Sequence, residues 1–258
     1  MMTAMSSSSS QYATEDNLAA RQRLWQISPR RPDFSLFSWV QGLLRLSGEE
    51  RVLDVGCGNG SYLQYMAAIG LDSSPGMLGA ARSRTRTPLV AAEATTLPFS
   101  VGSFDVVLCA HMLYHVTERL KAARELRRVL ARSGICVAVT NGEDNQIELV
   151  RLVEDVVGHG WKWRRPSETF SLENGASQLQ AAFDEVKRVD CPSGIVEIRD
   201  PQALADYLAS SGDYYEQEVA SWTSWPSVVE QCREKVAAVV NETGYFGISS
   251  SMGAFVCS

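Results

Sequence analysis

The 258-residue sequence lacks the features that several common classes of protein require. No uncharged apolar stretch approaches the roughly 18 residues that span a bilayer. The first ten residues, MMTAMSSSSS, contain neither the charged segment nor the apolar segment of a secretory signal peptide. We therefore expect a protein that is not embedded in a membrane and that works in the cytoplasm.

Positive charge is not in excess. The chain has 24 Lys and Arg against 30 Asp and Glu, a net charge of −6. Proteins that bind nucleic acid or anionic membranes usually carry a surplus of Lys and Arg on one face. The charge balance therefore argues against both partners. Nothing in the sequence indicates an oligomeric state.

Paired metal-ligating residues are also missing. None of the six cysteines belongs to a CxxC pair, and there are only three histidines. Structural zinc sites need paired Cys or Cys and His at short spacing. We predict no metal site, and we expect the cysteines to be small buried side chains in a reducing compartment.

Strand and helix signals alternate between residues 51 and 140. The predicted strands are Arg51–Val55, Ala67–Leu71, Leu89–Ala92, Asp105–Ala110 and Gly134–Thr140. The predicted helices are Ser61–Ala68, Pro75–Arg84 and Glu118–Arg132, the last with Leu120, Ala123, Leu126 and Leu130 on its apolar face. This alternation predicts an α/β fold with a parallel sheet built from βαβ units.

The segments on either side have a different character. Residues 1–13 are predicted to form a disordered tail and residues 14–47 a helical cap, with Asp33 as the N-cap of a helix over 34–46. Beyond the alternation, residues 143–258 are predicted to form an acceptor or lid half that is rich in tryptophan and tyrosine. Its predicted helices are Gln146–Val157, Asn174–Phe183, Pro201–Ser210 and Ser227–Thr243, and its predicted strands are Glu185–Val189, Ile195–Ile198 and Phe246–Cys257.

The motif that carries chemistry is VLDVGCGNGSYL, residues 52–63. Gly56, Gly58 and Gly60 follow a predicted strand at alternate positions. Glycine is needed where the backbone adopts a positive φ or approaches a ligand closely. The spacing G-x-G-x-G differs from the G-x-G-x-x-G of dinucleotide loops, which makes a nicotinamide enzyme a distant alternative.

Acidic residues accompany this motif. Asp54 lies two residues before the first glycine, and Asp72 ends the next predicted strand in GLDSSPGML. A carboxylate at that position can accept hydrogen bonds from both hydroxyls of a ribose. The segment EATTLPF, starting at Glu93, then precedes the strand FDVVLCA.

Together these motifs resemble the class I S-adenosylmethionine-dependent methyltransferases, in particular the small-molecule group of bacterial specialised metabolism. The resemblance covers about residues 48–142. It implies a Rossmann-like, mostly parallel seven-stranded sheet whose last strand is antiparallel, with Phe246–Cys257 as its candidate. It also implies S-adenosylmethionine as cofactor, bound by Asp54, Gly56, Cys57, Gly58, Gly60, Asp72, Ser73, Met77, Glu93, Ala94, Cys109 and Ala110.

Two histidines are candidate catalytic residues. His111 follows the strand whose end faces the transferable methyl group in this family, so its imidazole could take a proton from the acceptor. Lining the cofactor pocket is an equal alternative for His111. For His115, in MLYHV, structural packing is the favoured interpretation.

One spacing departs from the family pattern. Residues 61–71 must supply both the first helix and the second strand, at the lower limit of the ~10–12 residues that a βαβ crossover needs. A shortened helix with an intact ribose site is the favoured interpretation. A repurposed pocket, in which the cofactor serves a cyclase or lyase reaction, and a non-catalytic scaffold are the alternatives.

Overall fold

The computed structural model describes residues 16–258, so the predicted tail over residues 1–13 lies outside the described part of the chain. The helices are α1 Asp16–Ile27, α2 Leu36–Leu44, α3 Pro75–Arg84, α4 Arg119–Val129, α5 Ile147–Val157, α6 Gly175–Leu179, α7 Pro201–Ala209, α8 Gly212–Val219 and α9 Trp225–Thr243. The strands are β1 Arg30–Arg31, β2 Val52–Val55, β3 Ala68–Asp72, β4 Leu89–Ala91, β5 Phe104–Ala110, β6 Leu130–Asn141, β7 Val186–Asp190, β8 Gly194–Ile198, β9 Phe246–Ser250 and β10 Met252–Cys257. Within residues 16–258, no helix is long and apolar enough to cross a bilayer.

The chain forms two compact units. The sheet unit comprises residues 35–143, 165–192 and 251–258, and the helical unit comprises the described residues 16–34 together with 144–164 and 193–250. This division differs from the predicted boundaries after residues 47 and 142. Helix α2 belongs to the sheet unit, and the chain returns to that unit twice after residue 142.

The sheet unit contains seven strands in the order β4-β3-β2-β5-β6-β10-β7. The first five run parallel to one another, and β10 runs antiparallel to both β6 and β7. The predicted fold class, a Rossmann-like sheet with one antiparallel strand, is confirmed. Because parallel strands end at the same edge of a sheet, the residues that follow β2, β3 and β5 meet there.

The predicted last strand, Phe246–Cys257, is wrong as a single element. Ser251 separates two strands. Strand β10 completes the seven-stranded sheet, whereas β9 pairs with β8 in a three-stranded sheet of the helical unit. Both halves are apolar and rich in β-forming residues, so hydrophobic pattern alone does not separate them.

Two local predictions are also corrected. The N-cap of α2 is Ser35, whose hydroxyl accepts a hydrogen bond from the Ser38 N–H at 3.2 Å, and not Asp33. Helix α4 begins at Arg119, and its buried stripe contains the predicted Ala123 and Leu126 but not Leu120, whose side chain is 44% exposed. The members of that stripe are Ala122, Ala123, Leu126 and Val129.

The aromatic side chains of the helical unit form part of its core. The ring of Tyr215 lies edge-on to the rings of Trp161 and Trp163, with centroid distances of 5.9 and 5.7 Å. Its hydroxyl donates to the carbonyl of Arg164 at 3.0 Å, and the indole N–H of Trp225 donates to the carbonyl of Leu208 at 3.0 Å. The buried polar groups of Tyr215 and Trp225 are therefore paired, whereas the indole N–H of Trp163 has no partner within the described residues.

Candidate functional site

The glycine loop follows β2 and is held against β3 by its backbone. The N–H groups of Gly56 and Cys57 both donate to the carbonyl of Leu71, at 2.7 and 3.0 Å. Gly56, Gly58 and Gly60 have φ values of +71°, +54° and +78°. A Cβ at Gly56 would lie 2.7 Å from the Cβ of Met112. Both the backbone conformation and the available space therefore require glycine at residue 56.

The crossover from β2 to β3 contains no α-helix, so the predicted helix Ser61–Ala68 is wrong. The segment forms turns, and Leu63 packs beside Gly70, where a Cβ would lie 2.5 Å from a methyl carbon of Leu63. Only the twelve residues 56–67 connect Val55 to the start of β3, which leaves no room for a helix of ordinary length. The expectation of a shortened helix is therefore wrong, because no helix forms. The hydrogen bonds between the glycine loop and β3 are nevertheless present.

Asp72 closes the loop from the neighbouring strand. One carboxylate oxygen accepts from the N–H of Gly58 at 2.8 Å and the other from the N–H of Ser74 at 2.9 Å. Burial raises the pKa of Asp72, while backbone N–H groups of Ser74, Gly58 and Ser73 act in the opposite direction. A carboxylate has about four acceptor positions, so Asp72 keeps acceptor capacity for a further donor.

Asp54 is the most deeply buried acid of this edge. Its side chain is 1% exposed, and within the described residues its Oδ2 has no hydrogen-bond partner. Burial, and secondarily the negative charge of Asp72, raise the pKa of Asp54 to about 7. A buried carboxylate with an unpaired oxygen is costly unless a ligand or a proton compensates it.

The end of β5 brings His111 to the same edge. The backbone N–H of His111 donates to the carbonyl of Val139 at 3.0 Å. The φ of His111 is +55°, in the left-handed region that few non-glycine residues adopt. Desolvation lowers the pKa of His111 to about 4, so the imidazole is neutral at pH 7. The side chain of Cys109 is fully buried with its Sγ 4.0 Å from that of Cys136, so only the backbone of Cys109 is left for a ligand.

A family model described as "Methyltransferase domain" matches residues 53–138. The matched segment contains the glycine loop, both acids and His111. Residues 53–138 are therefore similar to a methyltransferase domain.

Curated relatives match over part of their length. The malonyl-[acyl-carrier protein] O-methyltransferase of Legionella pneumophila is 34% identical over 110 residues, which are 38% of this chain and 39% of that protein. The uncharacterized methyltransferase YcgJ of Bacillus subtilis is 31% identical over 146 residues, 52% of this chain and 55% of that protein. The chain thus spans about half the length, or less, of the curated relatives it matches.

Solved structures show the same fold. The crystal structure of YcgJ covers 86% of this chain and 96% of its own, with a TM-score of 0.56 and 19% identity. The [4+2]-cyclase SpnF covers 86% of this chain and 79% of its own, with a TM-score of 0.51 and 21% identity. At these identities the likeness concerns the fold alone.

The remaining predicted cofactor residues of the methyltransferase domain differ in exposure. Ser73 and Glu93 are exposed, Ala110 is half-buried, and Ala94 and Met77 are buried. The N–H of Met77 donates to the hydroxyl of Ser74, which caps α3. Their assignment to the cofactor site stays a prediction.

His115 lies one short helical turn beyond β5. The backbone N–H of His115 donates to the carbonyl of Met112 at 2.9 Å, and its ring lies edge-on to that of Tyr114 at 4.6 Å between centroids. These contacts are those of a packed side chain, which agrees with the favoured interpretation for His115. Its catalytic role stays a prediction.

Sequence analysis missed an ion pair that supports the methyltransferase domain. Arg128 binds Glu125 through two nitrogens at 2.6 and 2.8 Å and also donates to the carbonyls of Leu97 and Phe99 at 2.9 and 2.7 Å. Glu125 accepts from the N–H of Leu97 at 2.8 Å. The pair thereby fixes the segment after Glu93 to α4. An Arg and a Glu three residues apart on a helix are a common surface pair, so no sequence signal distinguishes this one.

We expect Arg128→Met to lower the free energy of unfolding by about 1–3 kcal/mol, because buried acceptors lose a charged donor. Arg127→Met is the matched control, since within the described residues Arg127 donates no hydrogen bond to the segment 97–99. Urea unfolding of both variants measures the difference. Equal stabilities for the two variants would contradict the bracing role.

Proposed function

We propose that the protein transfers a methyl group from S-adenosylmethionine to a small-molecule acceptor. The observation that carries this proposal is the glycine loop clamped by Asp72 through the N–H of Gly58, inside the segment that matches the methyltransferase family. Bound S-adenosylmethionine would supply an electrophilic methyl on a sulfonium, and the protein's own task is then alignment and proton transfer.

The residues of the site fit such a cofactor. The three glycines of the loop carry no Cβ, so they can adopt their positive φ values and a ligand can approach the backbone. Asp72 keeps acceptor capacity for ribose hydroxyls. The unpaired oxygen of Asp54 suits a cationic ligand, and S-adenosylmethionine carries both a sulfonium and an α-ammonium group.

His111 is the proposed general base. A base must be unprotonated at the working pH, and the neutral imidazole of His111 meets this condition across the physiological range. With a pKa of about 4 it is a weak base. It therefore suits an acceptor that loses its proton as the methyl group arrives, and alignment and desolvation supply the remaining rate enhancement.

The first test is a calorimetric titration with S-adenosylmethionine and with its demethylated product. We expect Asp72→Asn to weaken binding tenfold or more, corresponding to about 1.5–3 kcal/mol for a charged hydrogen bond. Asp105→Asn is the matched control, since Asp105 also accepts a backbone N–H, that of Arg51, but lies where β5 begins. Wild-type protein that binds neither ligand would refute the proposal.

The second test is an acceptor screen with the methyl-labelled cofactor. Small phenols, amines and carboxylic acids cover the oxygen and nitrogen acceptors, and malonyl-acyl carrier protein is included because the Legionella relative bears its name. A labelled product supports methyl transfer. Tight cofactor binding without a labelled product from any acceptor would favour the alternative of a non-methylating reaction. The crossover without a helix between β2 and β3 is the observation that motivates this alternative.

A further inference from the structure

We propose that Asp54 is a proton-linked anion of the cofactor site, which gives up a proton when a cationic ligand binds. The inference rests on the proposed function, because it takes S-adenosylmethionine as that ligand. It adds a role for Asp54 that the alignment of the methyl group does not require.

The position of Asp54 isolates it from solvent. It lies in β2, whose four residues are all buried and whose neighbours on either side are β3 and β5. Gly70 is its partner on β3 and Leu108 its partner on β5, so neither flanking position carries a cation. Within the described residues, Oδ2 of Asp54 has no hydrogen-bond partner that would compensate a negative charge at that oxygen.

The titratable groups that face Asp54 are all neutral or acidic. Asp72 faces it from β3, Cys57 from the glycine loop and Tyr62 from the crossover. Burial first, and then the charge of Asp54, raise the pKa of the Cys57 thiol and of the Tyr62 phenol. Neither group ionises near pH 7, so among residues 16–258 the charge that acts on Asp54 is that of Asp72, and it opposes ionisation of Asp54.

A cationic ligand reverses this balance. At pH 7 a carboxyl group with a pKa of about 7 is half protonated. A sulfonium or ammonium group placed nearby favours the carboxylate and lowers its pKa. The O–H bond of Asp54 then breaks, and the proton passes to the solvent without any change of oxidation state. Binding and proton release are therefore linked, and affinity for the cation rises with pH up to the pKa of the free site.

The experiment is calorimetric binding of S-adenosylmethionine at pH 6.5 in PIPES and in imidazole, two buffers that differ in heat of ionisation. We expect the wild type to release about 0.8 proton per site, the protonated fraction at pH 6.5 for a pKa near 7, and Asp54→Asn to release none. Below pH 7 the ligand's own ammonium, with a pKa of about 7.7–8.0, stays mostly protonated. Between pH 6 and 7 the wild-type affinity should rise about fivefold while that of Asp54→Asn stays constant.

5′-Methylthioadenosine is the matched ligand, because it keeps the adenosine and a thioether but carries no cation. We expect it to bind without proton release. Cofactor binding by the wild type with no proton release would overturn the role of Asp54 and leave the proposed function standing. Failure to bind either nucleoside would overturn both. The two-buffer comparison on the wild type decides the matter even where the Asn variant does not fold.

Discussion

Gly56→Ala is expected to lower the free energy of unfolding by about 2–5 kcal/mol and to remove measurable cofactor binding. Part of this loss, about 1–2 kcal/mol, comes from a non-glycine residue at a φ of +71°. The rest, about 1–3 kcal/mol, comes from overpacking, because the new Cβ would lie 2.7 Å from the Cβ of Met112. Met112 is next to His111, so relief of the clash displaces the end of β5 from the loop.

Gly102→Ala separates the two contributions. Gly102 also has a φ of +71°, but the nearest atom to its added Cβ is the Cα of Ala131 at 3.9 Å, an ordinary contact. We expect this variant to lose only the backbone cost of about 1–2 kcal/mol and to bind the cofactor normally. Denaturant unfolding and calorimetry of both variants make the comparison. Equal losses of stability would show that contact with Met112 contributes nothing.

The sheet could be predicted from sequence because its central strands are buried on both faces. Asp105–Ala110 was predicted within one residue of β5, and Pro75–Arg84 is α3, because an unbroken apolar run and a Ser-Pro helix start are strong local signals. The glycine loop was located for a similar reason. Three glycines directly after a strand have few structural uses besides close backbone approach.

Elements whose form depends on distant parts of the chain could not be predicted in this way. The residues of Ser61–Ala68 are compatible with a helix, but the distance to β3 excludes one. The split at Ser251 depends on pairing with β6 and β8, which lie far away in sequence. The bracing by Arg128 is likewise invisible, because its acceptors Leu97 and Phe99 are 31 and 29 residues away.

The structure also shows why the two acids of the site, Asp54 and Asp72, differ in their chemistry. Asp72 is the last residue of its strand and accepts from two backbone N–H groups, whereas Asp54 lies one residue before the end of its strand and its Oδ2 accepts none within the described residues. Sequence places both residues at the carboxyl edge. The two acids differ because backbone N–H groups of the turns reach the carboxylate of Asp72 but, within the described residues, not the Oδ2 of Asp54.

The same isolation of Asp54 predicts a stability cost in the absence of ligand. Its pKa is about 7 in the folded protein and about 3.9 in an unfolded chain, so the folded state binds more protons between these values. Stability is therefore lost as pH rises from about 4 through 7. Asp54→Asn removes the titration, and we expect its free energy of unfolding, relative to wild type, to increase by on the order of 2 kcal/mol between pH 5 and 8.

Urea unfolding of both proteins without cofactor, at pH 5, 6, 7 and 8, measures this difference. The comparison is internal, since the titrating groups that do not interact with Asp54 are common to both proteins and cancel. A difference that stays constant across the series would mean that Asp54 is ionised in the folded protein well below pH 7. A rising difference, together with weaker cofactor binding by Asp54→Asn, would show that the buried charge destabilises the empty fold and is retained for its ligand.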